Sequence, residues 1–218
     1  MLTPEDLFET AYLFLLIDQH DSGLWGRTMT LGKKYITSED AEIQKQNRKV
    51  ESLTNSYKAV DAILNYTLDK KNPCIKKTIN AIPNHRDKAG GYGTRAESIS
   101  YREPKQVLAN TRHTAAAILT RLLVEDELDE SIVQTTEYVI ENTKPDGGWG
   151  IPDRDSDYVS TTYVLKALTS LKTKGIEVKL SMKYSEKFDE IIVNGVKWLQ
   201  NSYEKNNGYW FYDEDDIC

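Results

Sequence analysis

Carboxylates recur at alternate positions in Asp153-Arg154-Asp155-Ser156-Asp157. Such oxygens can meet a cation or a polar ligand. However, the run lacks the central Gly and terminal Glu of a calcium loop, Val164 standing twelfth from Asp153. Asp153, Asp155 and Asp157 are therefore read as a polar loop that contacts a ligand or partner. A second set is Asn110-Thr111-Arg112-His113, where Asn110 suits a helix N-cap and Arg112 and His113 could face the mouth of a central cavity. His113 could exchange a proton near neutrality. Tyr163, in a later helix, completes the candidate binding set. His113 and Asp157 are candidates for acid–base work, but no Ser-His-Asp, Cys-His or His-x-x-x-His spacing accompanies them, and no catalytic residue is assigned. Two acidic runs, Glu125–Glu130 and Asp213-Glu214-Asp215-Asp216, read as a helix entry and a solvated tail.

The elements that must position these residues are helices ending in aromatic turns. The turns are Gly23-Leu24-Trp25-Gly26, Gly91-Tyr92-Gly93, Gly147-Gly148-Trp149-Gly150 and Gly208-Tyr209-Trp210. Trp25, Tyr92, Trp149 and Trp210 stand 67, 57 and 61 residues apart, which makes a repeat architecture the first reading. Three stretches with small-residue helical patterns, Leu53–Leu64, Asn110–Leu119 and Ser160–Leu168, carry Ala62, Ala117 and Ala167 in matching places. Alanine allows close helix approach, so these are read as inner helices. Pro4–Gln19, Cys74–Ile82, Glu130–Asn142 and Ser185–Tyr203 are more polar and amphipathic, and are read as outer helices. Ser38-Glu39-Asp40 could open a helix in the polar stretch from Arg27 to Lys49. The alternation in Gly175–Met182 suggests a short extended connector, and no other strand is expected.

Bulk properties narrow the classes. The 218 residues form one domain, 1–218, with 28% charged and 39% apolar residues, as in ordinary water-soluble proteins. A formal charge of −6 with scattered Lys and Arg argues against nucleic acid. Cys74 and Cys218 imply neither a disulfide framework nor a structural zinc site. The N-terminus is acidic where a signal peptide would be basic. Leu13–Ile17 is far shorter than the ~20 residues that span a bilayer. The expected location is the cytoplasm, with no transmembrane segment.

The turns, taken with the helices that precede them, resemble the QW repeat of squalene–hopene cyclases and of their relatives among terpene cyclases and protein prenyltransferases. Leu16, Gln19, Gly23 and Trp25 carry the motif fully. Val139, Asn142, Gly148 and Trp149 carry it with Asn for Gln, and Leu199, Ser202, Gly208 and Trp210 with Ser for Gln. The second repeat keeps Gly91, Tyr92 and Gly93. The resemblance implies an all-α, α/α-toroid-like array of helical hairpins, here about three and a half repeats in an incomplete ring. It also implies that each Gln and aromatic ties an outer helix to the next repeat. In the family's class II enzymes, the middle Asp of Asp-x-Asp-Asp-Thr protonates an alkene. The matching segment here is Asp157-Tyr158-Val159-Ser160-Thr161, with Val159 and Ser160 where the acid and its partner belong. No cofactor, metal or zinc ligand carries over. The expectation is a non-catalytic protein that binds a protein partner, another copy, or a hydrophobic small molecule. The alternative is a subunit of a split cyclase or prenyltransferase completed by a second chain.

Overall fold

A computed structural model describes residues 3–26, 51–95 and 107–205, with 4–8, 94, 95, 204 and 205 described as backbone only. The polar stretch containing Ser38-Glu39-Asp40, the fourth turn with Trp210, the acidic tail and Cys218 lie outside the described residues.

The helices are α1 (Pro4–Ile17), α2 (Leu53–Thr67), α3 (Pro73–Ala81), α4 (Thr111–Val124), α5 (Ser131–Glu141), α6 (Tyr158–Thr173), α7 (Met182–Ser185) and α8 (Phe188–Lys205). The chain is all-α in character. Each inner helix opens on a side chain suited to capping, which accepts an N–H from the first turn: Ser52 from Asn55, Asn110 from His113, and Asp157 from Ser160. Pro73 opens α3, where its missing N–H costs nothing.

Inner and outer roles follow from packing. The inner helices α2, α4 and α6 lie side by side in that order, with α1 against α2, α5 against α4 and α8 against α6, while α3 touches both α2 and α4. The middle helix α4 is the most enclosed. Ala115, Ala116, Ala117 and Ile118 have no accessible surface, and Arg112 is the one residue between Thr111 and Arg121 that is not buried. Three consecutive alanines leave room for neighbours on both flanks, which larger side chains would push away.

Two expectations are corrected. Gly175–Met182 is not extended: Gly175 turns the chain at φ 68°, and Ile176–Lys179 forms a 3₁₀ turn leading to α7. Ile176 and Leu180 are buried while Val178, which alternation would place on their face, is 79% exposed; the i, i+4 anchors win. Conversely, an unforeseen two-stranded ribbon forms between β1 (Gly93–Arg95) and β2 (Val107–Ala109), antiparallel with Gly93 opposite Ala109. Gly93 is required by close approach, since a Cβ there would lie 1.8 Å from the Leu108 carbonyl oxygen.

Candidate functional site

The three described turns have one construction. His20, Asp87 and Lys144 each accept an N–H from the glycine three residues on and donate their own N–H to the residue after it. Those glycines, Gly23, Gly90 and Gly147, have φ of 100°, 98° and 88°, a conformation that side chains with a Cβ rarely adopt. The next residue but one is the aromatic. Trp25, Tyr92 and Trp149 are all buried.

The aromatic's backbone joins the head of the following inner helix through both its polar groups. Its N–H donates to a hydroxyl: Trp25 to Ser56 (3.0 Å), Tyr92 to Thr114 (2.8 Å) and Trp149 to Thr161 (3.0 Å). Its carbonyl accepts from the N-cap residue: Trp25 from Ser52 (2.9 Å), Tyr92 from Asn110 (3.1 Å) and Trp149 from Asp157 (2.8 Å). The two indoles reach back instead. Trp25 Nε1 donates to the Leu15 carbonyl at 2.8 Å and Trp149 Nε1 to that of Val139 at 2.9 Å. Each tryptophan thus ties its preceding outer helix, its turn and the next inner helix together, whereas the backbone bonds of Tyr92 join its turn to the next inner helix, and the backbone polar groups of all three are satisfied despite burial. Sequence reasoning missed Ser56, Thr114 and Thr161. The available signal was a Ser or Thr four residues after every N-cap.

Around this frame the candidate residues separate. Asn110 caps α4, its Oδ1 accepting the His113 N–H at 2.8 Å while its amide lies 3.2 Å from His113 Nδ1. His113 is buried and Arg112 half-buried, so neither projects freely from the helix head. Arg112 instead turns to α6. Its Nη2 donates to Asp157 Oδ1 at 2.9 Å and its Nε to Ser160 Oγ at 3.0 Å. Ser160 donates both its N–H and its hydroxyl to Asp157, each at 2.7 Å. Asp157 therefore caps α6 and bridges it to α4. Asp153, at φ 64°, and Asp155 are exposed on the loop before it.

Tyr163 lies edge-on to Tyr57 with ring centroids 5.9 Å apart, and Lys166 donates to the Tyr57 hydroxyl at 2.5 Å. Helices α2 and α6 thus meet through these side chains, although α4 lies between them in packing order. Burial, and then the neighbouring Tyr57, push the Tyr163 phenol up to about 12, against the pull of Arg112. Tyr163 is a neutral phenol at physiological pH.

Across Asp157–Thr161 the side chains in sequence are the capping Asp157, half-buried Tyr158 and Val159, and buried Ser160 and Thr161. The acidic run also has structural uses. Glu125 and Asp129 hold the buried Arg121 at 2.8 and 3.1 Å, and Asp126 pairs with Lys70. Among the described residues no three His, Cys, Asp or Glu side chains are grouped to hold a metal ion, and no helix is long and apolar enough to cross a membrane.

The family model described as squalene-hopene cyclase C-terminal domain matches residues 48–169, more than half the chain and all three inner-helix heads. The chain belongs to this family. No curated protein matches it. Within the squalene–hopene cyclase domain family, the matched region spans the second and third turns but stops before α8.

Proposed function

We propose that this protein is a non-catalytic member of the squalene–hopene cyclase domain family that binds a protein partner, with a hydrophobic small molecule as the second class of ligand. The observation that carries this reading is the replacement at Val159. A hydrocarbon side chain has no proton to give an alkene, and the adjacent Asp157 already accepts three hydrogen bonds from Ser160 and Arg112. The contact surface is the exposed Asp153–Asp155 segment together with the half-buried Asn110, Arg112 and Tyr163, while the buried His113 enters through its bonds to Asn110. A partner is favoured over a deep ligand because α4 is enclosed and the Tyr57 and Tyr163 rings join the helices on its two sides. The single domain and the cytoplasmic location belong to the same proposal.

Family membership favours one rival, a subunit of a split cyclase or prenyltransferase whose partner supplies the missing acid or metal ligands. Incubating the purified chain with isoprenoid diphosphates and with squalene, and analysing extracts by gas chromatography, is expected to give no product above the buffer control. Turnover by the chain alone would overturn the proposal. Turnover that requires a co-purifying chain would establish the rival.

A further inference from the structure

Lys70, Lys172 and Lys183 each pair with a carboxylate. Lys166 on α6 meets a phenol instead. Its ammonium donates to the Tyr57 hydroxyl at 2.5 Å, and among the described residues no carboxylate pairs with it. An ammonium has donors and no acceptor, so the Tyr57 oxygen receives that bond and its own O–H is left to donate. Tyr163 adds a second phenol, its ring edge-on to Tyr57. Among the described residues neither O–H reaches an acceptor. With its phenol pushed up to about 12, chiefly by burial, Tyr163 keeps its proton at neutral pH. Arg112 acts on Tyr163 through its charge, but that charge is already matched by Asp157 at 2.9 Å. The cluster therefore offers donors only, with the positive charge of Lys166 unmatched.

The inner helices build this arrangement. Tyr57 stands five residues after the N-cap Ser52, and Tyr163 six after the N-cap Asp157. The same two places after Asn110 hold Ala115 and Ala116, both without accessible surface. Methyl side chains there let the tyrosines of the two neighbouring helices meet. Exposure is graded: Tyr57 is buried, Tyr163 half-buried and Lys166 exposed. An incoming group thus meets the ammonium first and the phenols behind it. A buried phenol proton without an acceptor is costly, and a bound oxygen removes that cost.

We propose that Lys166, Tyr163 and Tyr57 bind a carboxylate. The inference rests on the partner-binding reading, which makes an Asp or Glu side chain of the partner the source; a free carboxylic acid is the other source of the same chemistry. One ammonium matches one negative charge, and the remaining N–H and O–H donors suit a group with two oxygens and about four lone-pair sites. A phosphate brings about two charges near neutrality and would leave one unmatched beside Asp157.

The test labels the tyrosines of the full chain isotopically at Cζ, whose NMR shift follows hydrogen bonding at the attached oxygen. Tyr57→Phe and Tyr163→Phe assign the two signals. The probes are sodium acetate, the capped peptide acetyl-Gly-Glu-Gly-amide and inorganic phosphate, each compared with sodium chloride at equal ionic strength. Both signals are expected to move saturably with acetate and with the peptide, and each probe to bind more tightly than phosphate. Lys166→Met and Tyr163→Phe should each weaken the peptide by about tenfold or more with an unchanged thermal midpoint, while Lys166→Arg retains it. A peptide that binds more tightly than acetate assigns the site to a partner side chain, and saturation by acetate alone assigns it to a free acid. Shifts no different from those in chloride, phosphate binding more tightly than acetate, or full binding by Lys166→Met overturns the inference. If it falls while a protein still co-purifies with the chain, the partner-binding reading stands. Product formation by the chain alone would sink the non-catalytic reading and leave the carboxylate site in place.

Discussion

At the first junction between repeats the crossing side chain is Gln19, and at the third it is Asp146. The Gln19 amide nitrogen lies 2.7 Å from the Gly23 carbonyl, 2.8 Å from the Cys74 carbonyl and 3.1 Å from Thr78 Oγ1, so its two N–H groups bind turn and next helix together. Asn142, which holds the glutamine place in the third repeat, donates back to Tyr138 within its own helix at 2.8 Å. There the clamp is Asp146, whose carboxylate accepts from Gly148 N–H, Ser156 Oγ and, at 2.9 Å, Trp198 Nε1 on α8. A donor and an acceptor perform the same mechanical task from different places. What stays constant is the two-way backbone pairing of the aromatic with its inner helix. Degeneracy of the glutamine is therefore compatible with an intact array.

The largest break in this equivalence is expected from the aromatic itself. Trp149→Ala removes a fully buried side chain and should lower unfolding free energy by about 3–5 kcal/mol, measured by urea titration. Thr161→Val and Thr114→Val keep the shape but leave the Trp149 and Tyr92 N–H groups buried without acceptors. Each should cost about 1–3 kcal/mol, and near-equal values would sharpen the claim that the turns are equivalent. Gln19→Ala should cost about 1 kcal/mol or more against less than about 0.5 for Asn142→Ala; equal losses would erase the contrast between the two junctions.

The smallest effect is pH-dependent and belongs to the first junction. His85, buried on the 3₁₀ turn Ile82–His85, has Nδ1 3.1 Å from the Gly93 carbonyl and Nε2 2.9 Å from Glu51. Burial opposes ionisation of Glu51, but hydrogen bonds from His85 and Ser22 and the charges of His85 and His20 outweigh it and hold the carboxyl below 4.5. A lowered native value means the stabilisation is present above 4.5 and is lost as pH falls through the native value. The difference in urea midpoint between the wild type and Glu51→Gln should therefore shrink from pH 7 to pH 3. A constant difference would remove Glu51 from the account.

The helix heads and the aromatic turns were legible because their signals are local. Asn110, the alanine run and Gly23-Leu24-Trp25 act within a turn or two of chain, and Gln19 makes the cross-repeat bonds its motif implies. The role of Ser56, Thr114 and Thr161 was not, because their partners lie 31, 22 and 12 residues away and share no fixed spacing. The same holds for Arg112. Read along the chain it heads a helix and faces a cavity mouth, whereas folding brings Asp157 and Ser160, 45 and 48 residues on, within 3.0 Å of its guanidinium.

Sequence alone determined the helical class, the places of the three described Gly-aromatic turns and the family kinship, since side-chain identity and local backbone preference suffice for these. Tertiary packing decided that Asp157 is a cap and bridge, and that α2 and α6 touch through Tyr57. Those outcomes depend on which helix lies beside which, and loops of unequal length set that without leaving a fixed period in the chain.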